Sequence, residues 1–205
     1  MNREKRRIIA DGLLSQNALL VKGLAIAPAV LYANTLKNAV TLAVFIIVFS
    51  FITLALSSFI PRSMIYTSRV ILYSLIGAVV FVPMSIYIGR LIPLDFDSMG
   101  IFMPLMITNP FIVSRSEMQF FKNKGGKMFL DIFFSLLGYG IAVIIIGFIR
   151  ELISTGGIGG KIFGIKPVFT GAGEVFGGFI LLGLLAALTR YILMLSAKPR
   201  SDSGK

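Results

Sequence analysis

The chain has no cysteine and no histidine among its 205 residues. The first absence removes thiolate ligands for zinc or iron–sulfur clusters; the second removes the usual haem ligand and the usual general base. No metal can be held through thiolate or imidazole of this chain, and no catalytic residue is expected. Any cofactor must be held by oxygen ligands, backbone, packing or a neighbouring subunit. Acidic residues are also few: nine Asp and Glu stand against 20 Lys and Arg, a formal charge of +11.

What the chain does have is apolar surface. It is 56% hydrophobic with a mean hydropathy of +0.89, which excludes an ordinary soluble domain and a disordered chain. Crossing ~30 Å of hydrocarbon takes about 20 residues. Uncharged runs at 38–60, 70–89 and 132–149 reach or approach that length, and 175–189 reaches it if Arg190 snorkels to the interface. A polar break follows the basic N-terminus and no small-residue cleavage site is evident, so no cleaved signal peptide is expected.

Six segments emerge, at 18–35, 38–60, 69–93, 99–113, 129–152 and 174–196. With the N-terminus in the cytoplasm, 15 of the 20 Lys and Arg fall inside and five outside, the positive-inside bias of a multi-pass protein of the cell's inner (plasma) membrane. The basic residues serve topology, and nucleic acid is not an expected partner. The first and fourth segments are short. "KGLAIAPAVLYANT" carries Pro28, and "GIFMPLMITNPFIVS" carries Pro104 and Pro110. Each short segment precedes two longer ones, and a three-crossing unit used twice places its second copy upside down. Matched interrupted segments point to a central site, because broken backbone at membrane depth is tolerated only where protein or a polar cavity satisfies it. Proline kinks in full spanning helices are the alternative; the matched positions weigh against it.

The expected fold is therefore an all-α integral membrane protein, one membrane domain over 1–205. Six transmembrane segments form two inverted three-helix repeats, approximately 18–93 and 99–196, with broken half-helices at segments 1 and 4. Residues 1–17 and 197–205 are cytoplasmic tails. The longest connection, 153–173, reads as a flexible external loop. Its "GGIGGK" fails the phosphate-loop pattern, since Thr155 stands where the first Gly is needed and Ile162 follows the Lys. "GEVFG" at 173–177 is a small-xxx-small spacing suited to close helix packing.

Few residues can carry chemistry. Asp131 lies just inside its apolar segment and Arg150–Glu151 close the other end, a candidate ion path, because a lone charge in the membrane is costly. Lys127, one helical turn earlier, offers Asp131 an interfacial ion pair instead. Asp95 and Asp97 fall outside the membrane, and Glu174 opens the last helix. Thr108 and Asn109 precede Pro110; their oxygens can coordinate sodium or repair the broken helix, and repair is the favoured role.

The set "DGLLSQNALLVKGLAIAP", Asn38-Ala39, "SMGIFMPLMITNPFIVSRSE", Asp131 with "LLGYG", and "GFIRELISTG" resembles the paired six-helix membrane subunits of the Rnf and Nqr complexes. The likeness runs from about residue 11 to 196 and is nearest the RnfE/NqrD branch. It implies an inverted three-plus-three repeat and a paralogous six-helix partner. It also implies a complex that couples electron flow from NADH or ferredoxin to sodium or proton translocation. Iron–sulfur or flavin groups would then reside on partner subunits. In the family each broken segment carries a cysteine, and two such subunits hold one iron–sulfur cluster between them. Here Ala27 and Pro110 occupy those positions, so this chain can donate neither thiolate. The competing class is a small-molecule transport module, such as the substrate-binding component of an energy-coupling-factor vitamin transporter, with Ala25, Ala29 and Ala33 spaced for docking a partner.

The topology predicts that a membrane-impermeant thiol reagent applied to intact cells modifies Gly160→Cys and spares Ser203→Cys. External labelling of position 203 would overturn the orientation.

Overall fold

The computed structural model describes residues 11–61, 63–91, 104–122, 126–159, 161–162 and 167–196. Most of both expected tails, Asp95 and Asp97, and positions 160 and 203 lie outside the described residues. Six α-helices follow in order: α1 (Ile26–Tyr32), α2 (Leu36–Ser57), α3 (Tyr66–Leu91), α4 (Pro110–Lys122), α5 (Gly126–Thr155) and α6 (Val175–Ser196). A π-helical turn, Asp11–Ser15, precedes α1, and 3-10 turns at Pro104–Thr108 and Thr170–Gly173 precede α4 and α6.

Among the described residues, four helices are long and apolar enough to cross a membrane: α2, α3, α5 and α6. The first and fourth sequence segments are the short ones, with α1 seven residues long and α4 thirteen. The chain is thus mainly helical with several candidate spans. The connection expected to be a flexible loop is partly ordered. Gly157–Ile158 (β1) pairs antiparallel with Lys161–Ile162 (β2), and the amides of Val168 and Phe169 both donate to the Ile153 carbonyl at 3.2 Å. This minimal hairpin is the one departure from an all-helical chain among the described residues.

Helices α2 and α5 form the centre. Their most apolar stretches are each 56% buried, against 17% for α3 and 11% for α6. Ala39 faces Gly147 near one end, and Phe51 packs on Phe129 and Phe133 near the other, so the two run antiparallel. In lipid there is no hydrophobic drive between helices, and close association depends on small residues that let backbones approach. A methyl group on Gly147 would sit 2.3 Å from the Ala39 Cβ and 3.0 Å from the Thr35 carbonyl oxygen. Thr35 is also the N-cap of α2, its hydroxyl accepting from the Asn38 amide. Helix α3 is held to this pair by rings: Phe45 and Phe49 stack at 5.8 Å, and Phe81 meets each edge-on at 6.1 Å.

Gly147→Ala is therefore expected to destabilise the protein by about 1–3 kcal/mol, the range of core overpacking. Gly126→Ala, where a methyl group would meet nothing within 4 Å, should be neutral or better. Thermal unfolding of both variants in detergent checks the contrast; equal midpoints would contradict the tight α2–α5 contact.

Candidate functional site

The first interruption is built by one asparagine. Asn17 Oδ1 accepts from the Leu19 and Leu20 amides at 3.0 and 3.1 Å. Its Nδ2 donates to the Gly138 carbonyl at 2.7 Å and to that of Leu13 at 3.2 Å. The chain then turns through Gly23 (φ 64°) and Ala25 (φ 55°). The left-handed region is costly for a residue with a Cβ, and the Ala25 conformation is held by the Tyr139 hydroxyl, which donates to the Ala25 carbonyl at 2.9 Å. Helix α1 starts at Ile26, so Pro28 lies in its first turn, where a missing N–H costs nothing. The break falls at 23–25, and Pro28 begins the helix rather than interrupting it.

The second interruption repeats the device with other residues. After the Pro104–Thr108 turn, the Asn109 amide donates to the Met106 carbonyl at 3.2 Å. Asn109 Oδ1 accepts from the Phe111 amide at 2.9 Å. Asn109 is thus an N-cap, and Pro110 takes the first helical position, which its fixed φ favours. The helix continues to Lys122, beyond the expected end at 113, because Asn109 restarts the hydrogen-bond ladder.

The two interruptions meet. Gly23, Ala25, Ile26, Ala27 and Pro28 from the first, with Met106, Asn109 and Pro110 from the second, enclose an open cavity of about 230 Å³. Of these lining residues Ala27 and Pro110, one from each interruption, are exposed, while Ala25 and Asn109 are buried. Pro104 and Thr108 are exposed and do not line it. Neither α1 nor α4 has an acidic residue in its first turn. The side-chain donors on the lining are the Met106 thioether and the Asn109 amide, whose oxygen already caps α4. This set does not fit an iron–sulfur cluster, which needs thiolates.

The charged residues lie elsewhere. Arg150 is 1% exposed and its guanidinium fans over five backbone carbonyls: Val30 (2.5 Å) and Ala33 (3.0 Å) at the end of α1, and Ala172, Gly173 and Glu174 (2.9–3.1 Å) leading into α6. Glu151 Oε2 accepts from the Leu36 amide at 2.8 Å, opening α2. These two residues thus knit three helix ends together. Asp131 stands nineteen residues earlier on α5, about 28 Å away at 1.5 Å per residue, so it does not share a site with them. Its carboxylate lies 3.9 Å from Arg115 Nη1.

Sequence reasoning missed Arg115, Asn17 and Tyr139. Arg115 is 2% exposed, stands 5.9 Å above the Phe111 ring and donates weakly to the Gln16 carbonyl at 3.5 Å. In the sequence it is one more basic residue on the cytoplasmic side, with nothing to mark it as buried. At this end of the α2–α5 pair the buried hydroxyls of Ser116 and Ser135, with Ser50 and Ser57 of α2, have no hydrogen-bond partner among the described residues. Asn17 and Tyr139 bond backbone more than a hundred residues away, and no local pattern signals that.

An α-helical, multi-pass membrane protein with two interrupted segments meeting at an open cavity is the class so defined. The chain belongs to the Rnf-Nqr subunit family of membrane proteins, whose model matches residues 6–186. Its relatives include the subunit designated E of the ion-translocating oxidoreductase complex in several bacteria. Identity is 28% over 155 residues to that of Haemophilus ducreyi, covering 74% of this chain and 66% of that protein. It is 29% over 153 residues to that of Yersinia pseudotuberculosis (75% and 66%) and 26% over 151 residues to that of Glaesserella parasuis (74% and 66%). The chain thus spans just under two thirds of the length of these relatives.

Arg150→Ala should leave the carbonyls at the ends of α1 and before α6 without donors at membrane depth. The expected cost is about 3–5 kcal/mol. Arg150→Lys, with no planar fork, should recover only part of it. Unfolding midpoints in detergent check this; a stable Arg150→Ala protein would mean that the fan contributes little.

Proposed function

We propose that the chain is a non-catalytic membrane subunit of an Rnf/Nqr-like electron-transfer complex, pairing with a paralogous six-helix subunit across the mouth of the central cavity. The observation that carries this is the exposure of Ala27 and Pro110 on either side of a cavity that one chain leaves open. Interrupted backbone at membrane depth needs protein around it, and a second chain supplies the missing wall. Family membership favours this reading over the vitamin-transporter component.

The fold is a single membrane domain of two inverted three-helix repeats. Three pairings support it: α1 and α4 both begin at the cavity, α2 and α5 form the antiparallel centre, and α3 and α6 are the peripheral spans. The positive-inside bias supports cytoplasmic termini and a plasma-membrane location. Electrons that cross at this level travel on iron–sulfur or flavin groups of partner subunits, because this chain contributes no thiolate or imidazole ligand. Its own role is to shape the partner's surroundings at the midplane. If the complex moves Na+ or H+, the buried Arg115–Asp131 pair and the unsatisfied serine hydroxyls at the same end form the polar route on one side of the membrane. Arg150 and Glu151 hold helix ends on the other. Pro104 and Thr108 then belong to the entry of the second half-helix, outside the cavity itself.

Ala27→Leu tests the pairing. Ala27 is exposed on the cavity lining, so the protein itself should fold, while the partner contact is overfilled by about 1–3 kcal/mol. Recovery of the detergent-solubilised complex is the measurement, beside Val44→Leu and Val79→Leu on exposed flanks of α2 and α3. Equal recovery for all three would mean that the mouth faces lipid.

A further inference from the structure

A second concavity adjoins the central cavity, sharing Gly23 and Ile26 with it, and runs between the turn that precedes α1 and the outer face of α6. Its volume is about 550 Å³. Leu20, Ile26 and Phe179 form its walls, and Gly183, Ala186 and Ala187 its floor. A methyl group added to Gly183 would meet nothing within 4 Å, so the floor is open surface rather than a packed contact. Two cations, Lys22 and Arg190, are among the lining residues; the Lys22 ammonium also reaches the Met118 thioether of α4 at 3.9 Å. The exposed Arg190 guanidinium is positioned there by one bond, Nη2 to the Val21 carbonyl at 3.0 Å, and makes no ion pair among the described residues.

We infer that this groove binds an anionic phospholipid, with the phosphate between Lys22 and Arg190 and an acyl chain along Gly183 towards Phe179. Length, charge and side of the membrane each argue for that occupant. Phe179 to Arg190 spans about 16 Å of helix at 1.5 Å per residue, which matches one leaflet, half of a ~30 Å hydrocarbon core. The cationic end lies at the boundary that the positive-inside bias assigns to the cytoplasm, where anionic lipids concentrate and basic pockets between helices bind their headgroups. Apart from Lys22 and Arg190 the lining side chains are apolar, which suits an acyl chain and gives a free phosphate no other charged side chain. Lipid binding here does not depend on the proposed electron-transfer role.

The full chain, purified with whatever subunits accompany it and stripped of lipid by detergent exchange, is titrated with phosphatidylglycerol and with phosphatidylcholine of the same acyl chains. Bound lipid is counted by native mass spectrometry. The expected result is a roughly thirtyfold preference for phosphatidylglycerol, as two basic residues at the surface would give. Lys22→Gln with Arg190→Gln should abolish the preference, and Gly183→Leu, which fills the floor without touching protein, should reduce occupancy by both lipids. Equal binding of the two lipids by the unaltered chain, or a preference that survives the double substitution, overturns the inference. So does a Gly183→Leu protein that binds lipid normally but loses its accompanying subunits, since a partner helix would then be the occupant.

Discussion

The structure depends on one constraint: backbone N–H and C=O groups at membrane depth must find partners without water. A continuous helix meets that constraint by itself. This chain interrupts its helices twice, and each interruption is repaired by a short polar side chain. Asn17 takes up two amides and two carbonyls before α1, and Asn109 caps α4. The ends of the half-helix are closed from a distance. Tyr139 reaches the carbonyl of Ala25, Arg150 gathers those of Val30 and Ala33, and Glu151 receives the amide of Leu36. All of these side chains are buried, and all are thereby committed to backbone.

Helix α5 is the element that makes this possible. It carries Tyr139, Arg150 and Glu151, and it is set against α2 by glycines that remove the side-chain spacing between backbones. Arg150 can touch both α1 and the turn before α6 because Gly178 leaves room: a methyl group there would lie 3.0 Å from the guanidinium carbon. The central cavity is consequently framed by rigid partners although both of its flanks are broken chain. Rigid framing with an open mouth suits a surface completed by another subunit.

The cavity between the two interruptions is lined by small and apolar groups. Methyl and pyrrolidine groups of Ala27 and Pro110 line it, and caps, turns and long-range carbonyl bonds surround it. Those features answer to backbone satisfaction, which is needed whether or not a cluster is held nearby. The buried Arg115–Asp131 pair is a further polar feature of the interior, and the serine hydroxyls at the same end mark a place where water or an ion would be welcome.

The sequence by itself determined the membrane class, the four long helices, and the two short interrupted segments. Runs of apolar residues and proline are local signals, and hydrocarbon thickness converts length directly into a span. A repair role for Asn109 beside Pro110 was legible for the same reason. Only the tertiary structure decided that the first break lies at Gly23–Ala25 rather than at Pro28, since proline marks where a helix can start as readily as where it bends. Only it brought Ala27 and Pro110 to one cavity, separated Asp131 from Arg150 along α5, and gave Asn17, Tyr139 and Arg115 their partners. Those outcomes depend on contacts between residues as many as 121 positions apart, and pairing at that range is chosen by how small residues let the helices approach, which no local pattern encodes.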